Sequence, residues 1–376
     1  EEKKMGIRGS STTPLILNDC KVPVENLLGE IGKGHVIAFN ILNIGRFKLG
    51  AGCVGGARTS LEHVLAYAKE RKAFGKSIAE FGLIREKLAD MAIGTYTGES
   101  MVYRTVGMID AALAGIDKHS PDASRAIRKG IEEYAVECSI IKVWASEFLD
   151  RVVDEAVQIY GGYGFVEEYP AERAYRDSRV NRIFEGTNEI NRMIITGFLL
   201  KRAMSGQLPL MPAIQKLMDE VLAGPAMGEE MEGPLAAERK QVAAAKKVAL
   251  FVSGAASQKY MTALADQQEI LAALADITIE AFAMESAVLR AQKIAASQGE
   301  SAAALPLAMT QVYLSCAMER IEAAGRKVLA AVAEGDMLRT QLAILRRLGK
   351  HEPVNTIALR QQIATRVLEA GKYVAV

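Results

Sequence analysis

Apolar residues spaced three and four positions apart dominate the chain from about residue 35 onward, and this spacing constrains the fold more than any other feature. It predicts helices over residues 35–69, 84–113 and 127–159, and a fourth helix that begins around Thr187. The turns between these helices are short. Because long amphipathic helices joined by short turns pack as antiparallel bundles, the sequence predicts an all-α fold built on a four-helix bundle.

The segments before and after the bundle differ from it in composition. The first 33 residues are rich in turn residues and contain two short runs typical of strands, 13–17 and 20–24. These runs must pair with something else, because two short strands form no stable sheet alone. After residue 205 the sequence becomes rich in alanine and predicts further helices. We therefore divide the chain into the end of a β-domain (1–33), a helical bundle (34–204) and an additional helical domain (205–376).

Charge and composition argue against several classes of protein. The 46 Lys and Arg residues balance 45 Asp and Glu, so the chain lacks the basic excess of a dedicated nucleic-acid binder. Its 4 scattered cysteines and 4 histidines predict no disulfide framework and no metal site, which suggests a reducing compartment. The sequence contains no apolar run long enough to predict a transmembrane helix. Residues 1–4 resemble neither a signal peptide nor a natural start, so we expect the chain to open in the middle of a longer protein.

The segment from Glu70 to Lys76 joins three cations, among them Arg71, to Phe74 and a glycine. Such a group can bind a pyrophosphate and stack an aromatic ring on a flat ligand. On the residues alone, a helix C-terminus capped by Gly75 is favoured.

The segment from Gln158 to Phe165 is rich in glycine. Gly161 and Gly162 allow the backbone to approach a ligand closely, and the amide of Gln158 can bond a carbonyl or a ribose. A helix precedes these glycines and their spacing is wrong for a dinucleotide-binding fingerprint. A helix stop is therefore the default interpretation.

The segment around Glu185 places a carboxylate just before a predicted helix start, with Thr187 as the N-cap. An acid here complements the helix dipole, but an acid next to Phe184 with an accessible glycine beside it also suits a general base. Arg46 is a charge within an apolar helical run. It either reaches the surface or pairs with a buried carboxylate.

Five segments, in this order along the chain, resemble the C-terminal half of an acyl-CoA dehydrogenase over roughly residues 3–204. They are Lys4–Arg8, Val22–Gly29, Glu70–Gly75, Gln158–Phe165 and Glu185–Thr187. The stretch 81–88 and the extra helical region after residue 205 resemble the very-long-chain branch in particular.

The resemblance implies a chemistry for Glu185. As catalytic base it would remove the α-proton of a fatty acyl-CoA thioester, while the β-hydrogen leaves as hydride to FAD and a trans-2-enoyl-CoA forms. Phe184 and Gly186 would border the thioester, and Arg46 would lie near the base.

The resemblance also implies cofactor contacts. Arg71 and Phe74 would hold the dinucleotide part of FAD across a dimer interface, and Gln158, Gly161 and Gly162 would lie on its adenosine side. The FAD contacts after the base would be Thr187, Asn188 and Glu189. Glu189 departs from the glutamine seen in shorter-chain members at that position, and Gly82 replaces another glutamine there.

As partners, the resemblance implies an electron-transfer flavoprotein and further copies of the chain, as a homodimer or a dimer of dimers. It places the protein in the bacterial cytoplasm or, in a eukaryote, in the mitochondrial matrix. Members of the family also carry an N-terminal helical domain and a middle β-domain, and only the end of the latter corresponds to residues 1–33. We therefore expect the chain alone to bind FAD poorly and turn over little, and to need that missing part, which a separate polypeptide in the same particle could supply.

Two other functions remain as alternatives. An acyl-CoA oxidase would share the base but let oxygen reach the flavin, and a non-catalytic assembly protein would keep the bundle as an interaction surface.

Residues 214–222 carry an apolar stripe that suits either core packing or membrane association. Acidic residues at 229, 230 and 232 favour core packing, because anionic lipids repel them.

Overall fold

The computed structural model describes residues 1–120, 122–223, 233 and 235–376, and helices dominate this part of the chain. A two-stranded antiparallel hairpin, β1 (Lys72–Ala73) and β2 (Lys76–Ser77), is the only sheet among these residues. The α-helices are α1 (Gly34–Glu70), α2 (Gly82–Leu113), α3 (Ala123–Glu133), α4 (Ala135–Tyr160), α5 (Pro170–Ser178), α6 (Asn188–Met204), α7 (Leu210–Leu222), α8 (Ala236–Tyr260), α9 (Gln268–Gln298), α10 (Glu300–Val332), α11 (Gly335–Leu348) and α12 (Thr356–Ala370).

Helices α1, α2, α4 and α6 form an antiparallel four-helix bundle. Fully buried side chains such as Leu61, Tyr96 and Ile141 fill its core. The helices approach closely where glycine faces a large side chain, as Gly94 of α2 does with Phe148 of α4. The predicted all-α bundle is confirmed, because the apolar spacing that defines one helix face also defines the core.

The third predicted helix is two helices in the structure. The chain turns at Tyr134, whose backbone N–H bonds the carbonyl of Ile131, and α3 and α4 lie on either side of it. The apolar spacing continues through this turn in register, so periodicity alone could not reveal the break.

Residues 1–33, all of them described, contain no strand. Leu15, Ile16 and Leu17 are at least 70% exposed. The segment is tied to α5 by two hydrogen bonds: the N–H of Ile7 donates to Asp177 at 2.5 Å, and the Arg176 guanidinium donates to the carbonyl of Met5 at 2.9 Å. The two predicted strands do not form, because a strand needs a neighbouring strand for its backbone groups and these residues have none among the described residues.

The helices after residue 205 pack against the bundle. The Trp144 indole of α4 donates to the hydroxyl of Tyr313 in α10 at 2.8 Å, and the Tyr96 hydroxyl donates to the carbonyl of Ala287 in α9 at 3.1 Å. Buried apolar residues of the two regions form one continuous core. The domain boundaries at 33 and 205 remain predictions.

Helix α7 contains the apolar stripe of residues 214–222. Ile214, Leu217 and Val221 are buried, so the core-packing interpretation of residues 214–222 is confirmed. The three acidic residues that favoured it lie outside the described residues. By length and hydropathy alone, α10 is the one described helix that could cross a membrane, and 61% of its apolar window is buried in the protein, as is common for core helices.

Replacing Gly94 with Ala is expected to lower the free energy of unfolding by about 2 kcal/mol, because a Cβ there would lie 2.0 Å from the Phe148 ring. Gly107→Ala in the same helix is the control, since a Cβ at Gly107 meets nothing within 4 Å. Alanine should raise stability there by up to about 1 kcal/mol. Denaturant titration of the whole chain measures both, and equal effects at the two glycines would contradict close packing at Gly94.

Candidate active site

Glu185 lies in a turn just before α6, in a backbone conformation that is rare for its residue type. Its φ is +59°, and that of Gly186 is +80°. A left-handed conformation costs a non-glycine residue about 1–2 kcal/mol. Such a residue is kept only where its surroundings hold it, and residues of this kind cluster at functional sites.

Three buried side chains hold this turn through its carbonyl oxygens. The Arg46 guanidinium donates to the carbonyl of Glu185 at 3.2 Å. The Asn191 amide donates to the carbonyls of Gly186 and Thr187 at 2.8 and 3.0 Å. The Lys142 ammonium donates to the carbonyl of Gly186 at 2.7 Å. Helices α1, α6 and α4 thus each contribute one side chain to the turn.

The carboxylate of Glu185 points inward against α1. A Cβ placed on Gly45 would lie 2.4 Å from its Oε2 atom, so only glycine leaves room for it. Oε2 is buried and has no hydrogen-bond partner among the described residues. Buried polar atoms without partners are rare and costly, and each calls for an explanation such as a ligand.

Arg46 is buried, with 5% exposure, so of the two possibilities the sequence left, the surface position is excluded. Its guanidinium binds the backbone of Glu185, and the side chain of Asn43 at 2.9 Å, rather than the carboxylate itself. Burial lowers the pKa of Arg46, and the charge of Glu185 opposes this.

Lys142, Asn191 and Gly45 were not predicted as site residues. Lys142 is fully buried, and burial lowers its pKa to about 8. A lysine between Ile141 and Val143 in an apolar run is the signal that could have revealed it. The contact between Gly45 and Glu185 has no sequence signal, because it joins residues distant in the chain.

The three residues after the turn differ in where they point. Thr187 is the N-cap of α6, as predicted, and accepts the N–H of Ile190 at 3.3 Å. Asn188 is 3% exposed, and its side chain bonds Lys142 and Glu147 inside the bundle. Glu189 is exposed. The predicted cofactor contacts of Thr187, Asn188 and Glu189 stay predictions.

Phe74 occupies the tip of the hairpin that follows α1. Phe74 and Gly75 have φ of +53° and +83°, as in the two-residue turns that need positive φ at both central positions. The Phe74 side chain is 94% exposed. Helix α1 ends at Glu70 and Gly75 belongs to the hairpin, so the predicted Gly75 helix cap is wrong.

The hairpin end and the glycine-rich segment are neighbours. The guanidinium of Arg71 lies over the Tyr163 ring, 5.7 Å from its centre. Helix α4 ends at Tyr160, so the predicted helix stop is confirmed. Gln158, Gly161 and Gly162 are all exposed, and a Cβ on either glycine would meet nothing within 4 Å. The structure brings these five candidate residues (Arg71, Phe74, Gln158, Gly161 and Gly162) to one end of the bundle, and we call them the hairpin group.

Glu185 and the hairpin group lie far apart. Helix α1 carries Arg46 beside Glu185 and ends at the hairpin, and at 1.5 Å per residue the two points are about 37 Å apart. One chain therefore does not bring both groups around one small site.

A cavity of about 660 Å³ lies between the bundle and the helices after residue 205, away from both groups, and is lined by Trp144 and Tyr313.

Comparisons with known proteins point to one family. Two family models, both described as the acyl-CoA dehydrogenase C-terminal domain, match residues 32–200 and 244–347 respectively. A probable acyl-CoA dehydrogenase of Bacillus subtilis is 50% identical over 374 residues, which is 99% of this chain and 63% of that protein. The chain belongs to the acyl-CoA dehydrogenase family.

A solved structure agrees with the sequence matches. An acyl-CoA dehydrogenase from Bacillus anthracis, complexed with FAD, superposes with a TM-score of 0.97 and 51% identity, covering 100% of this chain and 64% of that one. The chain thus spans less than two thirds of the length of these two acyl-CoA dehydrogenases. The rat very long-chain specific acyl-CoA dehydrogenase is 41% identical over 194 residues, 52% of this chain and 27% of that protein.

Proposed function

We propose that this chain supplies the catalytic base and part of the cofactor site of an FAD-dependent acyl-CoA dehydrogenase. Its substrate would be a fatty acyl-CoA thioester, which the assembled enzyme oxidises to a trans-2-enoyl-CoA in fatty acid β-oxidation. The observation that carries the proposal is the buried, unpartnered Oε2 of Glu185, held in a strained turn.

Glu185 would accept the α-proton of the thioester. Since Oε2 has no hydrogen bond to give up, proton transfer to it breaks no existing contact. The bonds from Arg46 and Lys142 to the turn fix the position of the carboxylate. The positive charges of these two side chains favour the negative charge that develops on the thioester as its α-proton leaves. FAD, when bound, supplies the acceptor for the β-hydride.

The hairpin group fits the dinucleotide part of FAD. Phe74 presents a free aromatic face, Arg71 a cation for phosphate, and Gly161 and Gly162 an open backbone. A strained and fully exposed Phe74 is unfavourable without something to cover it. Gln158, exposed beside these glycines, would add an amide for the ribose.

The distance between Glu185 and the hairpin group supports a homo-oligomer. Because one chain holds them about 37 Å apart, the hairpin group of one copy would serve the cofactor that lies over Glu185 of another. The exposed, unpaired residues 13–17 would pair with the part of the relatives that this chain does not cover.

We also propose an electron-transfer flavoprotein as the electron acceptor, with a bacterial cytoplasm as the site of action. A relative that is 39% identical over 201 residues, 54% of this chain and 48% of that protein, is the CarC subunit of the caffeyl-CoA reductase-Etf complex of Acetobacterium woodii, which supports such a partner. The two Bacillus relatives support a bacterial setting.

Flavin reduction tests the function. The chain is produced alone and together with the part of its relatives that it does not cover, about a third of their length. Each preparation is mixed anaerobically with fatty acyl-CoA. We expect the complete particle to be yellow, to lose its oxidised-flavin absorbance and to release enoyl-CoA, while the chain alone stays nearly colourless. Rapid reoxidation by oxygen would indicate an oxidase, and a complete particle without flavin would indicate an assembly protein.

A further inference from the structure

Lys142 is a charged residue in the dry centre of the bundle. Its side chain is fully buried in α4, where the neighbouring positions are apolar. Burying a lysine is costly unless its donors are satisfied. A lysine at such a position therefore needs a structural or functional explanation.

Both hydrogen bonds of the Lys142 ammonium go to the segment that follows Glu185. It donates to the carbonyl of Gly186 at 2.7 Å and to the Asn188 side-chain oxygen at 2.6 Å. It forms no ion pair with a carboxylate among the described residues. The charge of Lys142 is thus satisfied by the turn itself.

Asn188 is in turn held by a carboxylate. Its amide nitrogen donates to Glu147 at 3.0 Å, which leaves the amide oxygen facing Lys142. Arg192 binds the same carboxylate at 2.8 Å and reaches Asp276 of α9 at 2.7 Å. A continuous set of charge-assisted bonds therefore fixes the partner of Lys142, and through it the start of α6.

We infer that Lys142 is a positioning residue for Glu185. Its bond to the carbonyl of Gly186 restrains the peptide plane between Gly186 and Thr187, while Arg46 restrains the plane between Glu185 and Gly186. Together they hold the left-handed turn, whose φ values set the direction of the carboxylate. The inference rests on the proposed function, because it concerns the same base.

Lys142→Met tests it in the complete, FAD-loaded particle. Methionine keeps the length of the side chain but removes its donors. We expect kcat to fall about 10–100-fold with little change in KM, since a base displaced by about 1 Å loses that much. Hydrogen exchange of the peptide over residues 183–192 should become faster. Lys87→Met is the matched control, because Lys87 pairs with Glu155 at the bundle surface and should leave both measurements unchanged.

Asn188→Ala keeps the inference testable where the methionine variant does not fold. It removes one of the two acceptors of Lys142, and we expect a smaller loss in kcat and faster exchange in the same peptide. The losses of the two variants should not add when combined, because they break one network. Unchanged exchange over 183–192 in a folded variant would overturn the inference. A wild-type particle that produces no enoyl-CoA would instead overturn the proposed function, and the exchange result would still decide the role of Lys142.

Discussion

Replacing Glu185 with Gln is expected to lower kcat/KM of the complete enzyme by about 10²–10⁴-fold, the range that a general base contributes. Glutamine has nearly the same shape, so it fits the space beside Gly45 and keeps the turn. Its amide cannot accept the α-proton. Flavin binding should therefore persist while flavin reduction by acyl-CoA is nearly lost.

Rapid mixing of the loaded variant with acyl-CoA measures this loss directly. Glu220→Gln is the control, because Glu220 forms a surface ion pair with Lys247 and lies far along the chain from the turn. It should leave flavin reduction within about twofold of the wild type. A Glu185→Gln enzyme that binds flavin and still reduces it at the normal rate would show that another group is the base.

Replacing Gly45 with Ala is expected to lower kcat about 10–100-fold without loss of stability. The new Cβ would lie 2.4 Å from Oε2 of Glu185, so the carboxylate has to move. A displacement of about 1 Å at the reacting atom can cost this factor. Alanine in α1 should meanwhile favour the helix by up to about 1 kcal/mol.

Gly52→Ala provides the comparison for that variant. Gly52 lies in the same helix, and a Cβ there meets nothing within 4 Å. Both substitutions should therefore gain helix stability, and only the one at Gly45 should lose activity. Normal turnover by Gly45→Ala would mean that the carboxylate does not lie against α1 in the working enzyme.

Much of the fold could be predicted because it depends on local spacing. The start of α6 was predicted from Thr187, whose side chain caps the helix, and the end of α4 from the glycines after Tyr160. Residues 13–17 show the limit, since their strand-like pattern was correct as a preference but no strand forms without a partner.

Family resemblance, rather than residue spacing, gave the roles assigned to Glu185 and the hairpin group. The structure added the physical setting of Glu185: a left-handed turn, a buried oxygen without a partner and a glycine that makes room. None of these is a property of one short segment. Each arises where helices distant in the sequence meet.

The sequence by itself determined the helices and their buried faces, because apolar periodicity and capping act over a few neighbouring residues. Only the tertiary structure decided which polar groups surround the candidate base. Lys142, Arg46 and Gly186 are far apart along the chain, and their hydrogen bonds exist because packing brings α1, α4 and the start of α6 together.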